Sequence, residues 1–291
     1  MIIYSEEVSS WSIETAESVV QGYQESQDAG IYYCSTNGIH AKALGDRLYF
    51  SVYYRTQNGE YVYSVLRNYS PSDYAYNHLE NPATSAEVKA LVVAMLNYGA
   101  AAQRYFAYHS DYPVNACLRD EQKAMVMEYA PTMIAPVKKP DGEKNGDFIA
   151  VSNSFTKKRP AVSFKGAFAI EYFLTPAHAP NGDVQLYYWD QSTYCAVDCC
   201  TAENASGVLT MSLRDDGQYH ASIEGISAKD LDQTVFAAAV YSDGTTNYCS
   251  GILSYHIGSY CSSFASYEND ARELAAVTAV YGYYAKMCFK N

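Results

Sequence analysis

The sequence lacks the motifs of the common enzyme classes. It contains no G-x-G-x-x-G and no G-x-x-x-x-G-K, the usual motifs of nucleotide binding. It also contains no H-E-x-x-H, which is typical of zinc hydrolases, and no G-x-S-x-G, which is typical of the lipase nucleophile elbow. Its six histidines stand at no spacing that is typical of metal ligation. We therefore expect no cofactor and no catalytic metal, and the sequence favours a non-catalytic protein.

The eight cysteines form no C-x-x-C pair, which argues against a zinc ribbon and against a thioredoxin-like motif. The densest group, Cys195, Cys199 and Cys200, has no histidine nearby. We interpret these thiols mainly as small apolar residues, with room for one disulfide such as Cys249–Cys261.

Positive charge and long apolar segments are also scarce. Lys and Arg number 20 against 32 Asp and Glu, a net charge of −12, whereas nucleic-acid partners need clustered cations. The one basic cluster is Lys157-Lys158-Arg159. No run of 18 apolar residues occurs, and the N-terminus lacks the basic-then-apolar pattern of a signal peptide. We expect neither nucleic-acid binding nor membrane insertion.

Tyrosine is unusually abundant, with 30 residues against ten Phe and two Trp. Tyrosine is favoured on strands and on wet recognition surfaces. The run Tyr187-Tyr188-Trp189, followed by Asp190 and Gln191, combines flat apolar rings with hydrogen-bonding groups, as sugar-binding and protein-binding sites do. These three aromatic residues are the predicted ligand-binding residues. The alternative is that Tyr187 and Trp189 face the core, because side chains alternate along a strand.

An internal repeat gives the domain organisation. The pattern Gly-Ile-x-Ala-Lys-x-Leu occurs at residues 38–44 and again at 225–231, and the match continues through Tyr54 and Tyr241 to Gly99 and Gly282. We predict a shortened first repeat at residues 1–106, a linker with a short helix at 107–147, and a complete second repeat at 148–291. This alignment sets Met1 against Tyr188, so residues 148–187 have no counterpart in the first repeat.

Each repeat is predicted to consist of strands followed by a helix. Residues 48–54 alternate in polarity, Asn58-Gly59 and Asp243-Gly244 predict tight hairpins, and Thr84-x-x-Glu87 predicts a helix start. A strand at 160–174 with an interruption at Gly166 opens the second repeat. The fold class that follows is α+β: two related β-sandwich-like domains, each with one C-terminal packed helix.

Three segments carry a resemblance to a known family. Residues 91–106 (LVVAMLNYGAAAQRYF), 154–172 (SFTKKRPAVSFKGAFAIEY) and 240–261 (VYSDGTTNYCSGILSYHIGSYC) resemble a repeat module of large secreted or cell-surface proteins of gut Clostridia. In that family the module stands beside Ig-like, leucine-rich-repeat or dockerin segments. The resemblance implies an extracellular or cell-surface location in a larger parent protein and an adhesive or anchoring role. It implies no catalytic residues.

Three functions from different classes remain open on the sequence. The first is adhesion or binding of a glycan or host protein, the second is a structural spacer of a surface protein, and the third is an unrecognised hydrolase. His220 and His256, each beside a tyrosine, are the best-placed histidines for the third. Because the first repeat lacks a counterpart of 148–187, we expect its sheet to have an exposed edge near Met1–Tyr4. This edge either pairs with another chain, so that the chain self-associates through the first repeat, or is covered by the linker at 107–147.

Overall fold

The computed structural model describes residues 1–23, 32–36, 38–135, 144–164, 167–264 and 269–289, without the side chains of Lys157 and Lys158. The chain divides into two compact units, Met1–Val126 (unit 1) and Met127–Asn291 (unit 2). Both combine antiparallel sheets with helices, which confirms the predicted α+β class. The predicted repeat boundaries at residues 106 and 148 stay predictions. Within the described ranges, no helix has the length and apolarity needed to span a bilayer.

Unit 1 begins with short strands and ends with helices. Its strands are β1 (Ile2–Tyr4), β2 (Ser18–Val19), β3 (Leu48–Ser51), β4 (Tyr53–Arg55), β5 (Tyr61–Tyr63) and β6 (Arg67–Tyr69). Its helices are a 3-10 turn (Ala41–Ala43), α1 (Pro71–Glu80), α2 (Ala86–Tyr105) and α3 (Asp120–Lys123).

The main sheet of unit 1 has the order β2-β1-β3-β6. Strand β1 is paired on both sides, with Ile3 opposite Ser18 on β2 and opposite Phe50 on β3. The predicted cover of Met1–Tyr4, by another chain or by the linker, is therefore wrong, because residues 18–19 pair with that strand. Self-association through the first repeat stays a prediction. Strands β4 and β5 form a separate hairpin, and its turn is made by Gly59 at φ +87°, a conformation that glycine adopts without strain.

Unit 2 contains more and longer strands. They are β7 (Phe155–Ser163), β8 (Phe168–Pro176), β9 (Gln185–Trp189), β10 (Gly207–Thr210), β11 (Ser212–Leu213), β12 (Tyr219–Ile226), β13 (Val235–Ser242), β14 (Asn247–Cys249) and β15 (Leu253–Tyr255). The helices are α4 (Gln191–Ala196), a 3-10 turn (Ala228–Asp230), α5 (Ile257–Phe264) and α6 (Asp270–Cys288).

Two sheets make up unit 2. One has the order β10-β9-β13-β14, with β15 also paired to β13, and the other has the order β11-β12-β8-β7. The predicted strand at 160–174 is thus two strands, β7 and β8, which pair antiparallel. The predicted interruption at Gly166 lies outside the described residues. Cys249 and Cys261 are both buried free thiols, so the suggested disulfide between them is not formed.

From the 3-10 turn to the long helix, the two units share element order and strand register. Tyr54 pairs with Val62 in unit 1, and Tyr241 pairs with Tyr248 in unit 2. In both, a serine hydroxyl accepts from the opposing strand: Ser64 from the Val52 amide at 3.0 Å and Ser250 from the Ala239 amide at 2.9 Å. The predicted strand 48–54 is divided at Val52 into β3 and β4, whereas the corresponding β13 is continuous.

The pairing also shows which elements correspond. Ile3 lies opposite Phe50, and Tyr188 lies opposite Ala237, so β1 corresponds to β9, with Ile3 in the place of Tyr188. The sequence alignment set Met1 against Tyr188, so in this segment it is shifted relative to the strand pairing of the structure. Within the described residues of unit 1, no strand corresponds to β7 or β8.

After its last strand, each unit has two packed helices where the sequence predicted one: α1 and α2 in unit 1, and α5 and α6 in unit 2. In unit 1 the short helix α3 follows, within the predicted linker. Helix α1 begins with a capping box between Ser70 and Asp73, which the sequence reading missed. Helix α2 begins one residue later than predicted, because Ser85 and not Thr84 accepts a hydrogen bond, from the Val88 amide at 3.3 Å. Helix α6 has Asn269 in this capping position.

A glycine in each long helix allows close contact with the 3-10 turn. A Cβ on Gly282 would lie 2.7 Å from Leu231 Cδ1 and 3.1 Å from the Ala228 carbonyl oxygen. On Gly99 it would lie 2.8 Å from Leu44 Cδ1 and 3.2 Å from the Ala41 carbonyl oxygen. At these two glycines the close partner of the helix is therefore the 3-10 turn.

We expect Gly282→Ala to lower the free energy of unfolding by about 1–3 kcal/mol, because overpacking outweighs the ~0.5–1 kcal/mol that alanine gains in a helix. Gly99→Ala should have an effect of similar size, since Gly99 makes the same close contact with the 3-10 turn of unit 1. Urea unfolding followed by circular dichroism measures both. A gain in stability at either position would contradict the shared packing.

Candidate functional site

The three predicted ligand-binding residues lie on β9, and their side chains face opposite sides of the strand. Trp189 is fully buried in the core of unit 2, and its indole N–H donates to Asn204 Oδ1 at 2.9 Å. Tyr187 packs on the same core, with its ring centroid 5.1 Å from that of Phe148. Tyr188, on the other side, lines a cleft. Binding of a ligand by the three residues stays a prediction, and Tyr188 is the one that a ligand in the cleft could reach.

The cleft beside Tyr188, which we call the unit 2 cleft, has a volume of about 510 Å³. Residues after β9, at the end of β12 and at the start of β13 line it. The lining residues are Tyr188, Asp190, Gln191, Ser192, Ile223, Glu224, Gly225, Ile226, Ser227, Asp230, Gln233, Thr234 and Val235. A Cβ on Gly207 would come within 2.6–2.7 Å of the Tyr188 ring, so this glycine allows the ring to rest against the β10 backbone.

Part of the polar lining is committed to the fold. Asp190 caps α4 and accepts from the Thr193 amide at 2.8 Å and from the hydroxyls of Ser192 and Ser206. Burial alone would raise the pKa of Asp190, but these hydrogen bonds together hold it below its ordinary value. Gln191 is likewise used, since its side-chain oxygen accepts from the Thr234 amide at 2.8 Å.

The rest of the polar lining is uncommitted. Among the described residues, the side chains of Tyr188, Glu224, Ser227, Asp230 and Gln233 make no hydrogen bond. Glu224 and Ser227 are exposed, and the other three are half-buried. The cleft therefore offers one aromatic ring, two carboxylates, an amide and two hydroxyls to a ligand.

Unit 1 has a cleft at the corresponding place, of about 540 Å³, with Ile3 in the position of Tyr188 and Asp46 in that of Gln233. Its Asp46 carboxylate is bound by residues after α2 that also line the cleft. The Tyr108 hydroxyl donates to Asp46, and His109 Nε2 lies 4.0 Å from the same carboxylate. The hydrogen bond to Asp46 raises the pKa of Tyr108. The unit 1 cleft thus has Ile3 in place of the Tyr188 ring, a Tyr108 ring whose hydroxyl is bound to Asp46, and no counterpart of the Gln233 amide.

A second apolar depression in unit 1, the tyrosine groove, has a volume of about 710 Å³. Its lining residues are Met1, Gly22, Tyr32, Cys34, Val52, Tyr53, Tyr54, Val62, Tyr63 and Ser64. Tyr32 is 69% exposed and Tyr54 63% exposed. The rings of Tyr53 and Tyr63 lie 5.8 Å apart. The sequence reading missed this groove, although tyrosines on both faces of the β4–β5 hairpin are a signal that one face stays uncovered.

The two histidines singled out for hydrolysis lie in packed surroundings. His220 stacks on Phe173 with the ring centroids 4.8 Å apart. His256 is buried, and its Nδ1 accepts from the Ser259 amide at 3.2 Å. Burial lowers the pKa of His256. No cluster of three metal-ligating side chains occurs in the described part of the chain.

The comparisons with known proteins leave the family open. No family model matches the chain, and no curated protein matches it. A solved structure described as the Br derivative of BhCBM56 is similar to part of it, at 11% identity and a TM-score of 0.26. The match covers 38% of this chain and 98% of that one. A likeness of this size carries no argument about fold or function.

Proposed function

We propose that this chain is a non-catalytic binding module of an extracellular surface protein, and that the unit 2 cleft takes a neutral glycan. The carrying observation is the uncommitted set of hydrogen-bonding groups beside the Tyr188 ring. A sugar presents an apolar face that suits an aromatic ring and hydroxyls that donate to carboxylates and exchange hydrogen bonds with amides. The resemblance to modules of surface proteins supports the extracellular location.

The charge of the cleft narrows the class of sugar. Asp190, Glu224 and Asp230 all contribute to its lining, and no Lys, Arg or His does so among the described residues. A sialic or uronic acid would bring a like charge into this lining, which costs binding free energy. A neutral hexose or N-acetylhexosamine meets no such penalty.

Exposed aromatic rings favour binding over a purely structural role. The tyrosine groove and the half-buried Tyr188 leave rings accessible in both units, whereas a spacer would bury them. The packed surroundings of His220 and His256 give the hydrolase alternative no positive support.

A glycan-array screen of the intact chain tests the proposal. We expect binding to neutral glycans, little binding to sialylated or uronic ones, and loss of the signal in Tyr188→Ala, because a stacked ring contributes about 1 kcal/mol or more. Tyr112→Ala, which removes an 85% exposed ring outside the cleft, is the control and should bind like the wild type. An array without hits, or equal binding by Tyr188→Ala, would overturn the proposal.

A further inference from the structure

The tyrosine groove corresponds to a surface that is covered in unit 2. By the shared strand register, Val52 corresponds to Ala239 and Tyr54 to Tyr241. Val52 is 50% exposed and Ala239 is fully buried, and Tyr54 is 63% exposed where Tyr241 is 4% exposed. The same place in the fold is therefore open in one unit and closed in the other.

The covering segment in unit 2 is the chain that enters and leaves the β7–β8 hairpin. The Phe155 ring lies 5.2 Å from the Tyr241 ring, centroid to centroid. The Tyr241 hydroxyl donates to the Ser154 carbonyl at 2.7 Å and accepts from the His178 amide at 3.2 Å. Residues 154–178 thus pack against the ring of Tyr241 and form hydrogen bonds with its hydroxyl.

The hairpin also completes a backbone ladder. Strand β8 pairs along β12, with Leu174 opposite Tyr219 and Tyr172 opposite Ala221. In unit 1 the residues in these places are Tyr32 and Cys34, which line the groove. No strand pairs with them among the described residues. Tyr33, between them, bridges to Tyr23 on the other side. Among the described residues, unit 1 thus presents an apolar face beside the backbone of Tyr32 and Cys34, and an apolar face next to such a backbone is where a sheet accepts added strands.

The lining chemistry favours a polypeptide over a sugar. Among the described residues that line the groove, none has a charged side chain, and the Met1 ammonium donates to the Val20 carbonyl at 2.7 Å. The Ser64 hydroxyl is used within the fold, where it accepts from the Val52 amide and donates to the Val65 carbonyl. The uncommitted polar side-chain groups include the hydroxyls of Tyr32, Tyr53 and Tyr54, and no side-chain amide is found among the described lining residues. Rings with single hydroxyls and no charged group suit apolar side chains and a peptide backbone.

We propose that the tyrosine groove binds a β-hairpin of a separate polypeptide, with an aromatic residue in the place of Phe155 and apolar residues alternating along its second strand as in β8. A second copy of this chain is a poorer donor, because its own β8 is held between β7 and β12. The groove lies in unit 1, so this inference does not rest on glycan binding by the unit 2 cleft.

The test uses the full chain and a fluorescent peptide with the sequence of residues 146–180. We expect saturable binding with one peptide per chain by fluorescence anisotropy. Tyr54→Asp should weaken binding at least about tenfold, because it places a charge in an apolar contact. Tyr112→Asp, at an exposed tyrosine outside the groove, is the matched control and should bind normally. A peptide with Phe155→Ala should bind about tenfold more weakly than the parent peptide.

A second form of the experiment does not depend on the peptide staying soluble. A variant of the chain carries a second copy of residues 144–185 directly before Met1. The correspondence of β1 with β9 places this copy in register with the groove. We expect a rise of several degrees in the unfolding temperature, and no rise when the copy carries Phe155→Asp. Absence of both binding and stabilisation would overturn the proposal. So would equal binding by Tyr54→Asp and Tyr112→Asp, or a full chain that dimerises through Tyr54 in light scattering.

Discussion

Trp189→Ala is expected to lower the free energy of unfolding of unit 2 by about 3–5 kcal/mol, the range for removing a large buried aromatic side chain. The Trp189 ring is fully buried, 5.0 Å from the Phe148 ring by centroid, in a cluster with Tyr194 and Phe236. Truncation leaves a cavity that this closely packed cluster cannot fill. Urea unfolding followed by far-ultraviolet circular dichroism measures the loss without needing the indole signal.

The control is the other tryptophan. Trp11 is half-buried in unit 1, and its indole N–H donates to the Ser64 carbonyl at 3.3 Å. Trp11→Ala should cost clearly less than Trp189→Ala. The conservative Trp189→Phe should keep most of the stability and leave glycan binding unchanged. A loss below about 1 kcal/mol for Trp189→Ala would mean that this side chain does not serve the core.

The repeated framework could be predicted from the sequence because it depends on local signals. The pattern Gly-Ile-x-Ala-Lys-x-Leu marks the 3-10 turn in both units, and Asn58-Gly59 and Asp243-Gly244 mark hairpins. These motifs specify backbone conformation over a few residues. The α+β class followed from them.

The irregular pairing could not be predicted in the same way. The break between β3 and β4 follows the neighbouring strand: β9 pairs along β13 as far as Val240, whereas β1 pairs along β3 only as far as Ser51. How far a neighbouring strand extends has no signal in residues 48–54. The additional helix α1 had a signal, the Ser70–Asp73 capping box with Pro71, that was overlooked because its apolar face is short.

The candidate site was predictable only in part. The run Tyr187-Tyr188-Trp189 did mark a strand beside a cleft, but the side on which each ring lies depends on the sheet that covers it. Glu224, Asp230 and Gln233 come from elements far from Tyr188 in sequence, so only the fold brings them to one cleft. The tyrosine groove depends on a hairpin that unit 2 has and that is not found among the described residues of unit 1, which residue preference alone does not reveal.

The central claim is that the unit 2 cleft, and not its counterpart in unit 1, is the glycan site. The most direct measurement is isothermal titration calorimetry, in which the glycan that binds most strongly on the array is titrated into the Glu224→Ala and Glu6→Ala variants. Each variant takes one exposed carboxylate from the lining of one cleft, so the change in charge is the same. We expect Glu224→Ala to weaken binding about tenfold or more, because a hydrogen bond to a charged group contributes about 1.5–3 kcal/mol, and Glu6→Ala to bind like the wild type. Equal affinities for the two variants, or a loss confined to Glu6→Ala, would contradict the account.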